Sequence, residues 1–198
     1  MLRRCFLSML LVVCCLMFSG CQASAGAQDV LVPAQLSKEE ESILHLVAGD
    51  DTVVYHLSSQ ETTRLAVNLY SLEAGEWKKQ EGTLFGLQYD DATPISGRLL
   101  LALSGEIAKE CRIAWQGDDG SVASACPEIP FKEGAVYAAS AFAQQEQTVV
   151  VGEPLPLLLL IGNEESSNTQ AAIPVDFYHH PEQIGGDQAQ MLALTLSE

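Results

Sequence analysis

CRIAWQGDDGSVASAC, residues 111–126, sets a turn between two alternating halves and closes each half with a cysteine. Gly117-Asp118-Asp119-Gly120 reads as the tip of a β-hairpin, because Gly and Asp supply the backbone angles and local hydrogen bonds of tight turns. Whether Asp118 and Asp119 make a two-residue loop or all four residues a longer one, the numbers of facing positions add to 237. Cys111 and Cys126 meet that condition, so the spacing sets them opposite one another with side chains on one face. Facing Cα atoms in antiparallel strands lie about 4.5–5.5 Å apart, within disulfide range. A Cys111–Cys126 disulfide is therefore expected, contributing about 3 kcal/mol through loop entropy. A redox-active pair is the alternative, but no C-x-x-C arrangement supports it. The same register faces Trp115 to Val122 on the cysteine face, and Arg112 to Ala125 and Ala114 to Ala123 on the other.

Outward from this hairpin the period of two continues. Val53, Tyr55 and Leu57 recur at every second position, as do Leu65, Val67 and Leu69, and Phe85, Leu87 and Tyr89. Further strand-like runs are 98–103, 107–116, 121–126, 136–143, 148–151, 155–161 and 191–196, most of them separated by turn-rich stretches such as AGDD, EAGE and YDDATP. The pattern predicts an all-β fold, an antiparallel β-sandwich of about 8–9 strands. Ser37-Lys38-Glu39-Glu40 matches a capping box, yet few apolar residues follow it, and no helical periodicity of useful length is expected. The polar stretch 162–187 is long for a compact domain; disorder, a short helical turn, or folding over one end of the sandwich would each accommodate it.

The N-terminus obeys a different logic. Arg3 and Arg4 precede an uncharged run, residues 5–18, that suits the core of a secretory signal and falls short of the roughly 20 residues a bilayer span needs. Phe18-Ser19-Gly20-Cys21 then resembles the lipobox of bacterial lipoproteins, with Phe where Leu is usual. The resemblance covers about the first 21 residues and implies that residues 1–20 are a signal peptide and that Cys21 is lipidated and becomes the mature N-terminus. Residues 21–40 would then be anchor and flexible tether, and 41–198 a single β-sandwich domain. Ala23-Ser24-Ala25 and Ala25-Gly26-Ala27 also fit ordinary secretory cleavage, which would release the protein, and an uncut anchor helix is a third reading. Two or more acyl chains make a durable attachment, where one holds only marginally.

The chain of 198 residues carries a formal net charge of −16, which becomes −18 if Arg3 and Arg4 leave with the signal. Such a surface repels nucleic acid and anionic headgroups. It reads first as solubility and spacing from an anionic envelope, with cationic partners or divalent ions as the alternative.

His179 and His180, with Asp176, Glu182 and Asp187 nearby, form the one cluster of metal-ligand type. Adjacent histidines on a strand point to opposite faces, and neither H-x-H nor H-E-x-x-H occurs, so a solvated loop is favoured over a metal site. The Asp pairs at 50–51, 90–91 and 118–119 read as turns rather than calcium loops. Tyr70, Trp77, Tyr89 and Trp115 could stack carbohydrate, though core packing is the favoured account of them. No nucleophile elbow, phosphate loop or dinucleotide pattern occurs. The sequence thus points to a lipid-anchored, extracytoplasmic, non-catalytic module without a cofactor, whose partner is the membrane through the anchor and an envelope protein or small ligand. The alternatives are a solute-binding or transport-accessory lipoprotein and a secreted metal-dependent hydrolase.

Overall fold

The computed structural model describes residues 29–60, 62–89, 94–104, 110–131, 134–164 and 171–198. The described residues form twelve strands and one α-helix: β1 (Val30–Pro33), α1 (Lys38–Ala48), β2 (Thr52–Ser59), β3 (Arg64–Glu73), β4 (Glu76–Lys79), β5 (Phe85–Gln88), β6 (Ile95–Ser104), β7 (Glu110–Gly117), β8 (Val122–Ala125), β9 (Ala135–Phe142), β10 (Gln147–Thr148), β11 (Pro154–Glu164) and β12 (Gln188–Ser197). They build two antiparallel sheets, β10-β1-β2-β6-β7-β8 and β4-β3-β12-β11-β9, with β5 also paired to β3. The all-β sandwich expected from alternation is the observed fold, with more strands than the sequence suggested. The additional strands include β1, which lies inside the expected tether, and β4, whose EWKK pattern is too short and charged to announce itself.

Alternation explains the core. Leu31, Tyr55, Leu57, Leu99, Leu101, Ile113 and Trp115 of the first sheet pack against Leu65, Val67, Leu158, Leu160, Leu192 and Leu194 of the second. Tyr55 carries a polar tip into this apolar layer. Its hydroxyl is shared between the carbonyls of Ala143 (2.9 Å) and Leu157 (2.8 Å), which satisfies it across the gap between sheets. Burial raises its pKa.

β11 and β12 break the alternation because the second sheet is covered on both sides. Their outward-facing Leu159, Ile161, Ala189, Met191 and Ala193 form a second cluster with Tyr70 and Phe177, against which Ile173, Tyr178 and Ile184 pack. Residues 171–187 therefore fold across the outer face of the sheet, with one 3-10 turn at Pro181–Gln183. Residues 165–170 lie outside the described part. Pro156 is tolerated within β11 because the pairing with β12 shifts register between Pro156 and Leu158.

The capping box does start a helix. Ser37 Oγ accepts from the Glu40 N–H at 3.2 Å, and Glu40 Oε2 accepts from the Ser37 N–H at 2.8 Å. Those bonds, reinforced by Arg98 at 3.0 Å, hold the Glu40 carboxyl down at about 2. No residue of α1 is buried. The helix does carry apolar residues, but Ile43, Leu46 and Val47 are exposed, so local capping and the Glu40–Arg98 link to β6 hold it instead.

Candidate functional site

The hairpin of residues 111–126 forms, but one residue out of the expected register. Ile113 faces Ala125, Trp115 faces Ala123 and Gln116 faces Val122. The loop has three residues rather than two or four: Gly117 N–H donates to the Ser121 carbonyl at 2.8 Å, and Gly120 adopts φ +87°. Asp119 fixes this choice by accepting from the Ser121 N–H at 2.9 Å and from its hydroxyl at 2.6 Å. Those bonds lower the Asp119 pKa, the hydroxyl contributing most.

A slip of one residue turns every side chain of the partner strand to the other face. Cys111 is buried and Cys126 exposed, and both are free thiols, so the expected disulfide is not formed. Val122, expected against Trp115, is instead 74 % exposed. Burial pushes the Cys111 thiol up to about 12 from an ordinary value of 9.0. At neutral pH iodoacetamide is expected to modify Cys126 within minutes and Cys111 only after denaturation; comparable labelling of both in the folded protein would contradict the register. The unfolded chain releases the Cys111 proton above about pH 9, while the folded chain keeps it to about 12. Stability present below the lower value is therefore lost progressively between the two, and Cys111→Ala should flatten that decline in denaturation series across alkaline pH.

The metal candidates resolve into separate pairs. His179 Nδ1 lies 2.9 Å from Asp176 Oδ1, and His180 Nδ1 lies 3.2 Å from Glu182 Oε1. Burial pushes Asp176 up, but the His179 N–H and ring outweigh it and leave the carboxyl below its ordinary value. Among the described residues no group of three or more His, Cys, Asp or Glu could hold a metal ion. The aromatic residues do not form an open platform either. Tyr70 and Trp115 are buried, Tyr89 accepts a hydrogen bond from Trp115 Nε1, and Trp77 Nε1 donates to the Tyr178 carbonyl at 3.3 Å. Cys21 and the Asp90–Asp91 pair lie outside the described residues.

What sequence reasoning missed is a cleft of about 710 Å³ at the end of the sandwich where β12 begins. One side is the end of the β3–β12 pair, with Leu69, Ser71 and Gln190; the other is the crossover from β8 to β9, with Glu128, Pro130 and Phe131; Glu81, Gly82 and Leu84 close it from the β4–β5 connection. The crossover is seated by a close approach: a Cβ on Gly162 would lie 2.7 Å from the Phe131 ring. Four carboxylates, Glu73, Glu81, Glu128 and Asp187, border the cleft. Glu73 pairs with Lys78 Nζ at 3.4 Å, and Asp187 Oδ2 accepts from the Glu164 N–H at 2.9 Å. Gln190 is 7 % exposed; its Nε2 donates to the Pro130 carbonyl, and its Oε1 is buried with no hydrogen-bond partner. The cleft residues come from four separate stretches of chain, so no local motif announces them. Compared with protein-family models, curated proteins and solved structures, the chain matches none.

Proposed function

We propose that the chain is a lipid-anchored protein that displays its β-sandwich on the extracytoplasmic face of a membrane, where it works as a non-catalytic interaction module. The observation that carries this reading is the order of the N-terminal signals: Arg3-Arg4, an uncharged run to Phe18, then Ser19-Gly20-Cys21. The start of the fold fits that role. β1 begins at Val30, so the tether from Cys21 is short, and a fully extended chain of that length reaches about 30 Å. Asp29 ties the tether's end to the globule, its Oδ1 accepting from the Gln60 N–H at 2.8 Å and its carbonyl from the Val149 N–H at 2.8 Å. An anchored domain would stay close to the headgroups, and its negative charge would hold it off an anionic surface within about a Debye length, roughly 8–10 Å.

Detergent phase partitioning with mass spectrometry of the N-terminal peptide tests this. The wild-type protein is expected in the detergent phase, starting at a glyceride-modified Cys21, whereas Cys21→Ser moves to the aqueous phase or retains its leader. An unmodified mature chain beginning at Gly26 or Gln28 would overturn the anchor. The cleft beside Gln190 favours a second reading, a solute-binding lipoprotein, because it offers a shaped and charged recess without reactive side chains gathered in it.

A further inference from the structure

We propose that the cleft at the β12 end of the sandwich binds a flexible organic cation of the polyamine class, with ammonium groups spaced along methylene chains. The inference stands apart from the lipid anchor and rests on how charge and apolar surface are arranged in one recess. Glu81 and Glu128 border it from opposite connections, and their carboxylates make no hydrogen bond or ion pair among the described residues. Glu73 adds a third charge that Lys78 answers only from an exposed position, at 3.4 Å. Like charges around one mouth repel each other, and a cation held between them relieves that repulsion.

A bare divalent ion is the wrong shape for this site. Its ligands must converge within about 2–2.6 Å of one point, and among the described residues no such group of carboxylates exists. The cleft that these carboxylates border is lined as well by the apolar side chains of Leu69, Leu84 and Phe131. Separated anionic points over apolar surface match a ligand whose ammonium groups are separated by methylenes. The volume of about 710 Å³ lies within the range of small-molecule sites.

Gln190 supplies the independent sign of a ligand. Its side chain lies on the inner face of β12, which lines the cleft, and is more than nine-tenths buried. Because Nε2 is committed to the Pro130 carbonyl, Oε1 is left as an acceptor with no donor. Buried acceptors are rarely left unpaired, and the cost of leaving one so is relieved when a ligand brings the donor. An ammonium brings up to three donors and no acceptor, the complement that Oε1 and the carboxylates lack.

Isothermal titration of the full-length protein with spermidine tests the site. Saturable binding of one equivalent is expected, weakening as salt is raised. Glu81→Gln with Glu128→Gln should raise Kd at least tenfold, and Gln190→Leu about fivefold, each with an unchanged circular dichroism spectrum. Glu39→Gln with Glu41→Gln, exposed on α1 over the other sheet, should change Kd less than twofold. Absence of saturable binding would overturn the proposal, as would equal weakening by the α1 variant, which would mean diffuse attraction to an acidic surface. Unchanged affinity in Gln190→Leu, or equally tight saturation by Mg²⁺ in place of spermidine, would overturn it too.

Discussion

Replacing Trp115 with alanine is expected to destabilise the protein by about 3–5 kcal/mol, read as a lower denaturant midpoint at nearly constant slope. Trp115 is 1 % exposed and is among the largest fully buried side chains in the protein. It faces Leu99 on β6 and Ala123 on β8, joining three strands of the first sheet to the core. Removing an indole from such a site loses its transfer energy and leaves a cavity that flanking strands cannot close. Its Nε1 also donates to the Tyr89 hydroxyl, which lies 3.2 Å from Ser121 Oγ at the hairpin turn. Trp115→Phe keeps most of the volume but loses that donor and part of the ring, so about 1–2 kcal/mol is expected. A loss under about 1 kcal/mol in Trp115→Ala would mean that the hairpin does not pack as described.

Gly97→Ala should cost about 3 kcal/mol or more, for the opposite reason. Gly97 lies on β6, between β2 and β7, and faces Gly117 across the ladder. A Cβ there would meet the Gln116 carbonyl, and would stand 2.7 Å from Trp115 Cζ2 and 2.8 Å from Gly117 Cα. Two of those three atoms are backbone of an interior strand, so rotating one side chain brings no relief. Gly86→Ala is the control: its Cβ would sit 3.6 Å from Thr83 Cγ2 and 3.8 Å from the Leu65 carbonyl, ordinary contacts, and a change near zero is expected. Because Gly97 and Trp115 touch, the two substitutions should not add. The double variant is expected to be less destabilised than the sum, since losing the indole removes one of the clashes. Thermal or denaturant melts of the three proteins decide this; strict additivity would show that the indole does not lie against Gly97.

The cysteine hairpin shows how local information can name a motif and miss its register. GDDG is symmetric in outline, and its symmetry suggests a loop centred between the two aspartates. Asp119 breaks the symmetry by bonding to Ser121, which moves the centre of the loop onto Asp119 and turns Cys126 away from Cys111. Only one hydrogen-bonding preference separates the two registers, and both satisfy the alternation of β7. The helix α1 errs the other way. Its capping box was legible, but its apolar residues are confined to 43–48, a stretch too short to announce a helix by periodicity, and Ile43, Leu46 and Val47 stay exposed in the fold.

Alternating residues along β2, β3 and β6 carry their own destination, because a strand with one apolar face can be buried only on that face. This is why the two-layer architecture and most of its core could be read from residue order alone. The lipidation signal proposed at Phe18-Ser19-Gly20-Cys21 is likewise local and draws on no feature of the fold. Turn register, the covering of the second sheet by residues 171–187 and the cleft beside Gln190 belong to a different category. Each depends on contacts between segments far apart in the chain, where competing arrangements differ by a hydrogen bond or one packed ring. Such small differences are settled only when the whole core closes around them.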